Sequence, residues 1–129
     1  MAGIYIHIPF CRQKCYYCDF YKTVNTGLTA NFVLALKNEI VQRKSYIGDE
    51  LIETIYFGGG TPSVLYISEI SEILECINKE FNLATSCEIT FEANPDDLTK
   101  SYLDDLYKIG INRLSIGIQS FHNDYLKKM

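Results

Sequence analysis

Apolar and polar residues alternate along four short segments of the chain, a spacing typical of β-strands with one buried face. Between these segments the apolar residues recur every three or four positions, which predicts helices that each bury one side. The predicted strands are residues 3–8, 53–57, 87–93 and 113–118. The predicted helices are residues 28–44, 68–80 and 100–108, with a fourth beginning near Asn123. Four β–α units in series indicate an α/β fold with parallel strands and right-handed crossovers.

Two of the predicted helices carry recognisable end signals. Ser68 and Thr99 stand at the starts of the second and third helices, where a hydroxyl side chain can accept from the first backbone N–H groups. Gly110 follows the third helix, at a position where glycine commonly ends a helix. We therefore expect Ser68 and Thr99 to be N-caps and Gly110 to be a C-terminal stop.

The second face of the predicted strands is polar. Tyr5 and His7 alternate with isoleucines in the first strand, and Glu88, Thr90 and Glu92 alternate with apolar residues in the third. Parallel strands that are covered on both faces read instead as continuous apolar runs. An open, curved barrel with a ligand-filled interior fits this pattern. An ordinary doubly wound sheet with polar residues near its strand ends is the alternative.

Length and composition narrow the class of protein. The chain has 129 residues, 47% of them apolar and 22% charged, which suits one globular domain. Its net charge of −4 comes without a basic stripe, so we expect no nucleic-acid partner. No window approaches the roughly 18 to 20 apolar residues of a membrane span, and no positive charge precedes the first apolar run. We therefore expect a cytoplasmic protein with no integral membrane segment.

Cysteine spacing is the first chemical signal. Of five cysteines, Cys11, Cys15 and Cys18 lie within eight residues, directly after the first predicted strand. The odd count and the cytoplasmic expectation argue against a disulfide framework. Cys76 and Cys87 fall on the apolar faces of a helix and a strand, so we expect both to be buried as small hydrophobic residues.

Three closely spaced thiols suggest a metal or a cluster. A [4Fe–4S] cluster usually takes four cysteines, so three would leave one iron open to a substrate or cofactor. The alternative is a structural zinc site with His7 as its fourth ligand. The extended stretch between His7 and Cys11 disfavours that alternative without excluding it.

Further candidate residues follow the other strands. Gly58, Gly59 and Gly60 end the second strand, where glycine lets the backbone approach a ligand closely. Their spacing matches neither a Rossmann nor a P-loop fingerprint. Glu92 and Gln119 lie at the carboxyl ends of the third and fourth strands, where barrel enzymes place their sites.

Taken together, these motifs resemble the radical SAM (S-adenosyl-L-methionine) superfamily. The loop from Cys11 to Cys18 reads C-x-x-x-C-x-Φ-C, with Tyr17 as its aromatic residue. Residues 4–11, 57–63, 91–95 and 110–121 resemble one subfamily, which contains oxygen-independent coproporphyrinogen-III oxidases and radical SAM heme chaperones. The resemblance implies a partial (β/α)6 TIM-like barrel, of which this chain would supply the first four β–α units.

The resemblance also implies residue roles. Cys11, Cys15 and Cys18 would hold three irons of a [4Fe–4S] cluster, and the fourth iron would bind S-adenosyl-L-methionine. The residues implied to contact this cofactor are Tyr5, Tyr17, Gly59, Gly60, Thr61, Glu92 and Gln119. The implied chemistry is one-electron cleavage of the cofactor, driven by an electron donor such as flavodoxin or ferredoxin.

One residue separates the two branches of the subfamily. The oxidases carry a further cysteine two residues after the third, whereas this chain has Phe20 there. The Cys-Asp-Phe sequence resembles the heme chaperones, which bind heme and deliver it to heme-accepting proteins. A porphyrin-forming oxidase and a structural zinc module remain the alternatives.

The predicted fourth helix reaches Met129 without a stop signal, and the last strand lacks a cover. We therefore expect residues 1–129 to be the N-terminal part of a radical SAM core domain. The rest of the barrel and a C-terminal domain would then be absent from this chain.

Overall fold

A computed structural model describes residues 2–128 as one sheet of four parallel strands covered by helices on one face. The strands are β1 (Ala2–Ile8), β2 (Leu51–Gly59), β3 (Asn82–Ala93) and β4 (Arg113–Ile116). They follow one another in the order β1-β2-β3-β4. A doubly wound sheet instead reverses its strand order at a switch point. The sequential order within the described residues is that of a barrel wall.

The helices connect successive strands. They are α1 (Thr29–Gln42), α2 (Lys44–Ile47), α3 (Ile67–Glu80), α4 (Lys100–Lys108) and α5 (Asn123–Leu126). Helix α1 packs against α3, and α3 packs against α4. All four predicted β–α units are present, with boundaries shifted by a few residues. Within residues 2–128, no helix is both long and apolar enough to cross a membrane.

The core lies between the sheet and the helices. Ile6, Phe57 and Phe91 are partners in the register of β1, β2 and β3, so their side chains lie on the same face of the sheet. All three are at most 2% exposed, and they belong to one cluster with Ile70 and Ile73 of α3. The rings of Phe57 and Phe91 lie 5.7 Å apart between centroids. The predicted alternation of apolar positions therefore identifies the core face correctly.

The opposite face of the sheet carries the polar residues. Tyr5, Tyr56, Thr90 and Arg113 are register partners across the four strands. Arg113 donates from Nη1 to Oε1 of Glu88 at 3.1 Å and to Oγ1 of Thr90 at 3.4 Å. This row lies where the interior of a closed barrel would be, as the alternation predicts.

Two of the three predicted helix ends are confirmed. The Thr99 hydroxyl accepts from the backbone N–H of Tyr102 at 3.2 Å. Gly110 has a φ of +100° and donates its N–H to the Tyr107 carbonyl, while Ile111 donates to Leu106, which completes a Schellman motif.

The prediction that Ser68 caps α3 is wrong. The helix begins one residue earlier, and Tyr66 occupies the N-cap position. There the Glu69 carboxylate accepts from the Tyr66 backbone N–H at 2.9 Å. The Glu69 carboxylate, at the third helical position, thus satisfies the N-cap amide, as the acidic residue of a capping box does.

The two isolated cysteines differ in burial. Cys87 in β3 is buried, as predicted. Cys76 in α3 packs against the core but is only half-buried, so it is less buried than predicted. Desolvation is the largest cause that raises the pKa of both thiols. Both are therefore neutral at physiological pH, which suits a packing role.

Candidate functional site

A cleft of about 550 Å³ opens at the carboxyl ends of the four strands. Among the described residues, those that line it include Cys11, Cys15, Tyr17, Cys18, Gly59, Gly60, Thr61, Glu92 and Gln119. These are all but one of the candidate site residues. Loops after parallel strands meet at one edge of a sheet, which explains how residues spread over more than 100 positions share one cleft.

The cysteines lie in a loop of residues 11–22, called the cysteine loop below, that is closed at its base. The Cys11 backbone N–H donates to the Thr23 carbonyl at 2.9 Å, and the Thr23 N–H donates to Pro9 at 2.7 Å. Cys11 is buried, whereas Cys15 and Cys18 are half-buried. The backbone of β1 therefore fixes Cys11, and the loop carries the other two thiols over the cleft.

The three thiols border one cleft. Within residues 2–128, no three His, Cys, Asp or Glu side chains converge to hold a single metal ion. A [4Fe–4S] cluster takes one thiolate per iron, so its ligands need only surround a shared space. Cys11, Cys15 and Cys18 border the same cleft and supply three soft ligands, so the residues present fit such a cluster.

Local electrostatics favour one thiolate in particular. A hydrogen bond from Lys22 and, next, one from the Phe20 backbone N–H lower the pKa of Cys18. The Lys22 ammonium also donates to the Cys18 carbonyl oxygen. Lys22 therefore favours the thiolate form of Cys18, which is the form that binds metal. Burial and a hydrogen bond with Cys15 raise the pKa of Tyr17, which therefore stays protonated beside the thiols.

The glycine loop after β2 packs directly on the end of β1. The N–H groups of Gly60 and Thr61 donate to the carbonyl oxygens of Ile8 and Phe10, each at 2.7 Å. A Cβ atom on Gly60 would lie 2.6 Å from the Phe10 oxygen and 3.0 Å from the Cys11 sulfur. Only glycine fits at this position, because any side chain there would displace the first cysteine.

The Thr61 hydroxyl also reaches the cysteine loop. It donates to the Cys11 sulfur at 3.4 Å. The Gly60 and Thr61 amide donors are both used within the protein, and the Thr61 carbonyl oxygen accepts from the Val64 N–H. What the loop can still offer a ligand is therefore acceptor oxygens, among them the Thr61 hydroxyl. Oxygen acceptors of this kind suit an ammonium group.

Glu92 projects from the polar face of β3 into the cleft. Its Oε1 atom accepts a 2.6 Å hydrogen bond from the Tyr56 hydroxyl. That bond is the largest cause that raises the pKa of Tyr56, ahead of desolvation. Tyr56 therefore remains a donor over the physiological pH range and holds the carboxylate in one orientation.

Tyr5 is the candidate that the structure places apart from the others. It is not among the described residues that line the cleft, and it borders a separate cavity of about 650 Å³ beside β1 and α1. Its ring stacks on Tyr56 with centroids 5.9 Å apart. Tyr5 thus reaches Glu92 through Tyr56.

Gln119 adopts an uncommon backbone conformation. Its φ of +65° makes it the one non-glycine residue with a positive φ within residues 2–128. A Cβ atom on Gly117 would lie 2.7 Å from the Gln119 amide nitrogen, so the carboxamide folds back over Gly117. Strained backbone of this kind concentrates at functional sites.

His7 is engaged away from the cysteine thiols. Its Nε2 atom lies 3.4 Å from the Tyr21 carbonyl oxygen, to which it donates, and its Nδ1 atom lies 3.3 Å from the Tyr5 hydroxyl. Both ring nitrogens therefore have hydrogen-bond partners. This arrangement disfavours His7 as the fourth ligand of a zinc ion.

Sequence reasoning missed two side-chain groups that include or contact residues lining the cleft. One is Tyr56. The strand alternation places it on the polar face of β2, and that position could have identified it. The other joins Arg12, Ser63 and Asp97 across three loops. No sequence spacing signals that second group, because it depends on how the loops fold.

Comparison with known proteins gives a consistent result. Residues 5–129 match the family model of the radical SAM superfamily. The heme chaperone HemW of Buchnera aphidicola subsp. Schizaphis graminum is 42% identical over 98% of this chain and 34% of its own length. HemW of Lactococcus lactis subsp. lactis is 40% identical over 97% of this chain and 32% of its own length.

A solved structure is also similar. The coproporphyrinogen III oxidase HemN from Escherichia coli, a radical SAM enzyme, superposes with a TM-score of 0.90 and 32% sequence identity. The match covers 97% of this chain and 29% of HemN. The predicted TIM-like α/β fold is therefore confirmed.

The chain spans about one third of the length of the curated relatives described above. Its matches connect it to a heme- and porphyrin-related group of proteins. The family implies a [4Fe–4S] cluster and S-adenosyl-L-methionine, and the cleft offers three thiols where such a cluster would be held. On its family match and its relatives, the chain belongs to the radical SAM superfamily.

Proposed function

We propose that this chain is the cluster-binding part of a radical SAM heme chaperone, which binds heme and delivers it to target proteins. The observation that carries the proposal is the cleft, where Cys11, Cys15 and Cys18 face Glu92 and Gln119. Two relatives that are 40% and 42% identical are named heme chaperones, which supports this branch of the family.

In this proposal, Cys11, Cys15 and Cys18 each ligate one iron of a [4Fe–4S] cluster. Because these residues supply three thiol ligands for four irons, the fourth iron would be left for S-adenosyl-L-methionine. Together these groups supply one-electron cleavage of a carbon–sulfur bond, a chemistry that amino-acid side chains do not provide. The protein contributes binding, orientation and exclusion of water.

The remaining candidates divide the contacts to S-adenosyl-L-methionine. Gly59, Gly60 and Thr61 would present oxygen acceptors to the N–H bonds of its amino group, because the Gly60 and Thr61 backbone N–H groups are already bonded within the protein. Glu92 accepts from ribose hydroxyls or the amine, and Gln119 both donates and accepts.

Two tyrosines complete the set. Tyr17 lies against the cofactor beside the cysteine thiols, and its protonated hydroxyl can donate. Tyr5 contributes indirectly: its ring packs on Tyr56, and the Tyr56 hydroxyl orients the Glu92 carboxylate.

Phe20 favours the chaperone over the porphyrin-forming oxidase. It lines the cleft two residues after Cys18, at the place where the oxidases have a further cysteine. Its carbon ring neither ligates iron nor exchanges a proton. The structural similarity to coproporphyrinogen III oxidase keeps that reaction as the second candidate.

The proposal extends to the organisation and partners of the protein. Residues 1–129 supply the first four β–α units of a (β/α)6 barrel, and the exposed residues of β4 mark where the next unit packs. An electron donor such as flavodoxin or ferredoxin reduces the cluster, and heme-accepting proteins receive the cargo. Five free cysteines suit a reducing compartment, so we infer a cytoplasmic location.

Cysteine variants test cluster binding. In this and the following experiments, the full chain means the whole heme chaperone of the proposal, with residues 1–129 as its cluster-binding part. After anaerobic reconstitution, the parent protein is expected to carry about four irons and about four sulfides. Cys15→Ala should lose at least half of that iron, because one iron loses its protein ligand. Cys76→Ala is the matched control, since Cys76 lies in α3, and it should keep the full content. Equal iron in the parent and Cys15→Ala would contradict the proposal.

A second measurement separates chaperone from oxidase. The reconstituted full chain is incubated anaerobically with coproporphyrinogen III, S-adenosyl-L-methionine and a strong reductant, and products are weighed by mass spectrometry. The chaperone proposal predicts no decarboxylated porphyrinogen above the cluster-free control, together with stoichiometric heme binding in a separate titration. Decarboxylated product would establish the oxidase instead.

A further inference from the structure

A side chain within the cysteine loop reaches across the cleft. Arg12 lies between the first two cysteines, and its Nε atom donates to Oδ1 of Asp97 at 2.8 Å. Asp97 belongs to the turn after β3, 85 residues later in the chain. This ion pair joins the cysteine loop to the far side of the cleft.

The carboxylate at the other end is buried and fully engaged. The Asp97 side chain is 7% exposed, and its Oδ2 atom accepts from the Ser63 hydroxyl at 2.6 Å. Ser63, itself 4% exposed, lies after β2 and also accepts from the Asn94 backbone N–H at 3.0 Å. The chain of bonds therefore joins the loops that follow β1, β2 and β3.

The burial of Asp97 makes this contact different from an ordinary surface ion pair. A buried carboxylate needs a compensating charge, and Arg12 is the cation that bonds to it. The Arg12 side chain is 70% exposed, so its bond to Asp97 is what joins it to the protein interior. The loop position is thus coupled to an anchor in the protein interior.

The anchor itself sits on a rigid turn. The Asn94 side chain accepts from the Asp96 backbone N–H at 3.0 Å, and the Asp97 N–H donates to the Asn94 carbonyl at 3.0 Å. Helix α4 follows at once, and its Tyr102 hydroxyl donates to the Leu65 carbonyl at 3.1 Å. The turn and the loop after β2 are therefore held together independently of Arg12.

We propose that Asp97 is a positioning residue for the cluster, holding Arg12 and the Cys11–Cys15 segment in register with the loops after β2 and β3. The inference rests on the proposed function, because it assumes that these cysteines bind the cluster. It assigns to Asp97 and Arg12 a role that the family motif does not state. The Cys11–Thr23 bond fixes the base of the loop, and the ion pair ties the next residue, Arg12, to the turn on the other side of the cleft.

The test measures how fast a chelator strips iron from the reconstituted full chain. Asp97→Asn and Arg12→Ala should each speed iron loss about three- to tenfold. The double variant should be no faster than the faster single variant, because both changes break the same bond. Asp105→Asn is the matched control: it breaks an ion pair of the same 2.8 Å length on α4, and its iron loss should equal that of the parent.

Two outcomes would overturn the inference. One is iron loss at the parent rate in both single variants. The other is a double variant whose acceleration is the product of the two singles, which would mean independent effects. If Asp97→Asn fails to fold, Arg12→Ala still decides, because it alters an exposed side chain. A lowered melting temperature beside parent-rate iron loss is a case of the first outcome, and it would assign Asp97 to stability alone.

A measurement on the cluster-free protein keeps this inference separate from the proposed function. Amide hydrogen exchange of residues 12–18 should be at least threefold faster in Asp97→Asn than in the parent, with exchange of α3 unchanged. If the parent protein binds no cluster, the proposed function fails, yet the exchange result still shows whether the ion pair positions the loop. Unchanged exchange in residues 12–18 contradicts the inference itself.

Discussion

The Tyr56 hydroxyl lies 2.6 Å from Oε1 of Glu92, and the Tyr56 ring stacks on Tyr5. The three residues come from β2, β3 and β1, so the contact crosses the polar face of the sheet. Because Tyr56 can rotate little between Tyr5 and Glu92, the carboxylate is oriented before any ligand arrives. Such preorganisation reduces the entropy that a ligand must offset on binding.

Tyr56→Phe should weaken the binding of S-adenosyl-L-methionine to the cluster-loaded full chain. The variant keeps the stacked ring but leaves the Glu92 carboxylate without its donor. A hydrogen bond to a charged group contributes about 1.5 to 3 kcal/mol, and only the part that orients Glu92 for the ligand is lost from binding, so we expect the Kd to rise roughly tenfold. Isothermal titration calorimetry under anaerobic conditions would measure the change.

Tyr46→Phe is the control for Tyr56→Phe, since Tyr46 is an exposed tyrosine in α2. Its Kd should equal that of the parent. A parent-like Kd in Tyr56→Phe would show that Glu92 needs no fixed orientation.

Gly60→Ala should damage both the fold and cluster incorporation. The added methyl group would lie 2.6 Å from the Phe10 carbonyl oxygen and 3.0 Å from the Cys11 sulfur. Forcing a methyl group into such a contact costs about 1 to 3 kcal/mol of unfolding free energy. Urea denaturation would measure that loss, and the iron content after reconstitution should fall well below that of the parent.

Gly27→Ala is the matched substitution at a surface position. There the nearest atom to the added methyl is the flexible Asn25 side chain, at 3.3 Å. Its stability should change by less than about 1 kcal/mol, with normal iron content. If Gly60→Ala behaved like Gly27→Ala, the close packing of Gly60 against Phe10 and Cys11 would contribute neither to stability nor to iron content.

Much of the fold could be predicted because it depends on repeating patterns. The alternation of Ile6 with Tyr5 and His7 is enough to separate the core face from the polar face. The apolar spacing places the start of β3 at residue 87 rather than at Asn82, because Asn82 belongs to the strand through its pairing with Leu51.

The parts of the site that escaped prediction depend on three-dimensional contacts. Asp97 and Arg12 are separated by 85 positions and meet only when two loops fold. The positive φ of Gln119 follows from the path of the chain after β4, and no local residue signals it. The capping residue of α3 was mistaken because Glu69, and not a serine hydroxyl, reaches the first amide.

Tyr102→Phe should reveal an alkaline limit to stability. Burial, and after it the charge of Asp97, raise the pKa of Tyr102 well above its usual value. In the unfolded chain the phenol ionises near pH 10, as is usual for tyrosine. The hydroxyl therefore contributes its full stability below about pH 10, and that contribution is lost as the pH rises above it.

The measurement is the difference in unfolding free energy between the parent and Tyr102→Phe. At pH 8 the parent should be more stable by about 1 kcal/mol, because its hydroxyl donates to the Leu65 carbonyl. The difference should shrink above pH 10 by up to about 1.4 kcal/mol per pH unit. Tyr107→Phe, at an exposed position of the same helix, controls for general effects of the substitution. A pH-independent difference would contradict the expected ionisation.

Gln119→Gly should separate the backbone role of this residue from its side-chain role. Glycine adopts a φ of +65° without strain, which favours the variant. Glycine also loses more backbone entropy on folding, which disfavours it. Because the two effects oppose each other, we expect the unfolding free energy to change by less than about 1 kcal/mol. The carboxamide that folds over Gly117 at the cleft is lost, so the Kd for S-adenosyl-L-methionine should rise about tenfold. Thermal denaturation and calorimetry on the same sample measure both quantities. A stable variant with parent-like affinity would remove Gln119 from the binding site, whereas a large loss of stability would mean that its side chain serves the fold.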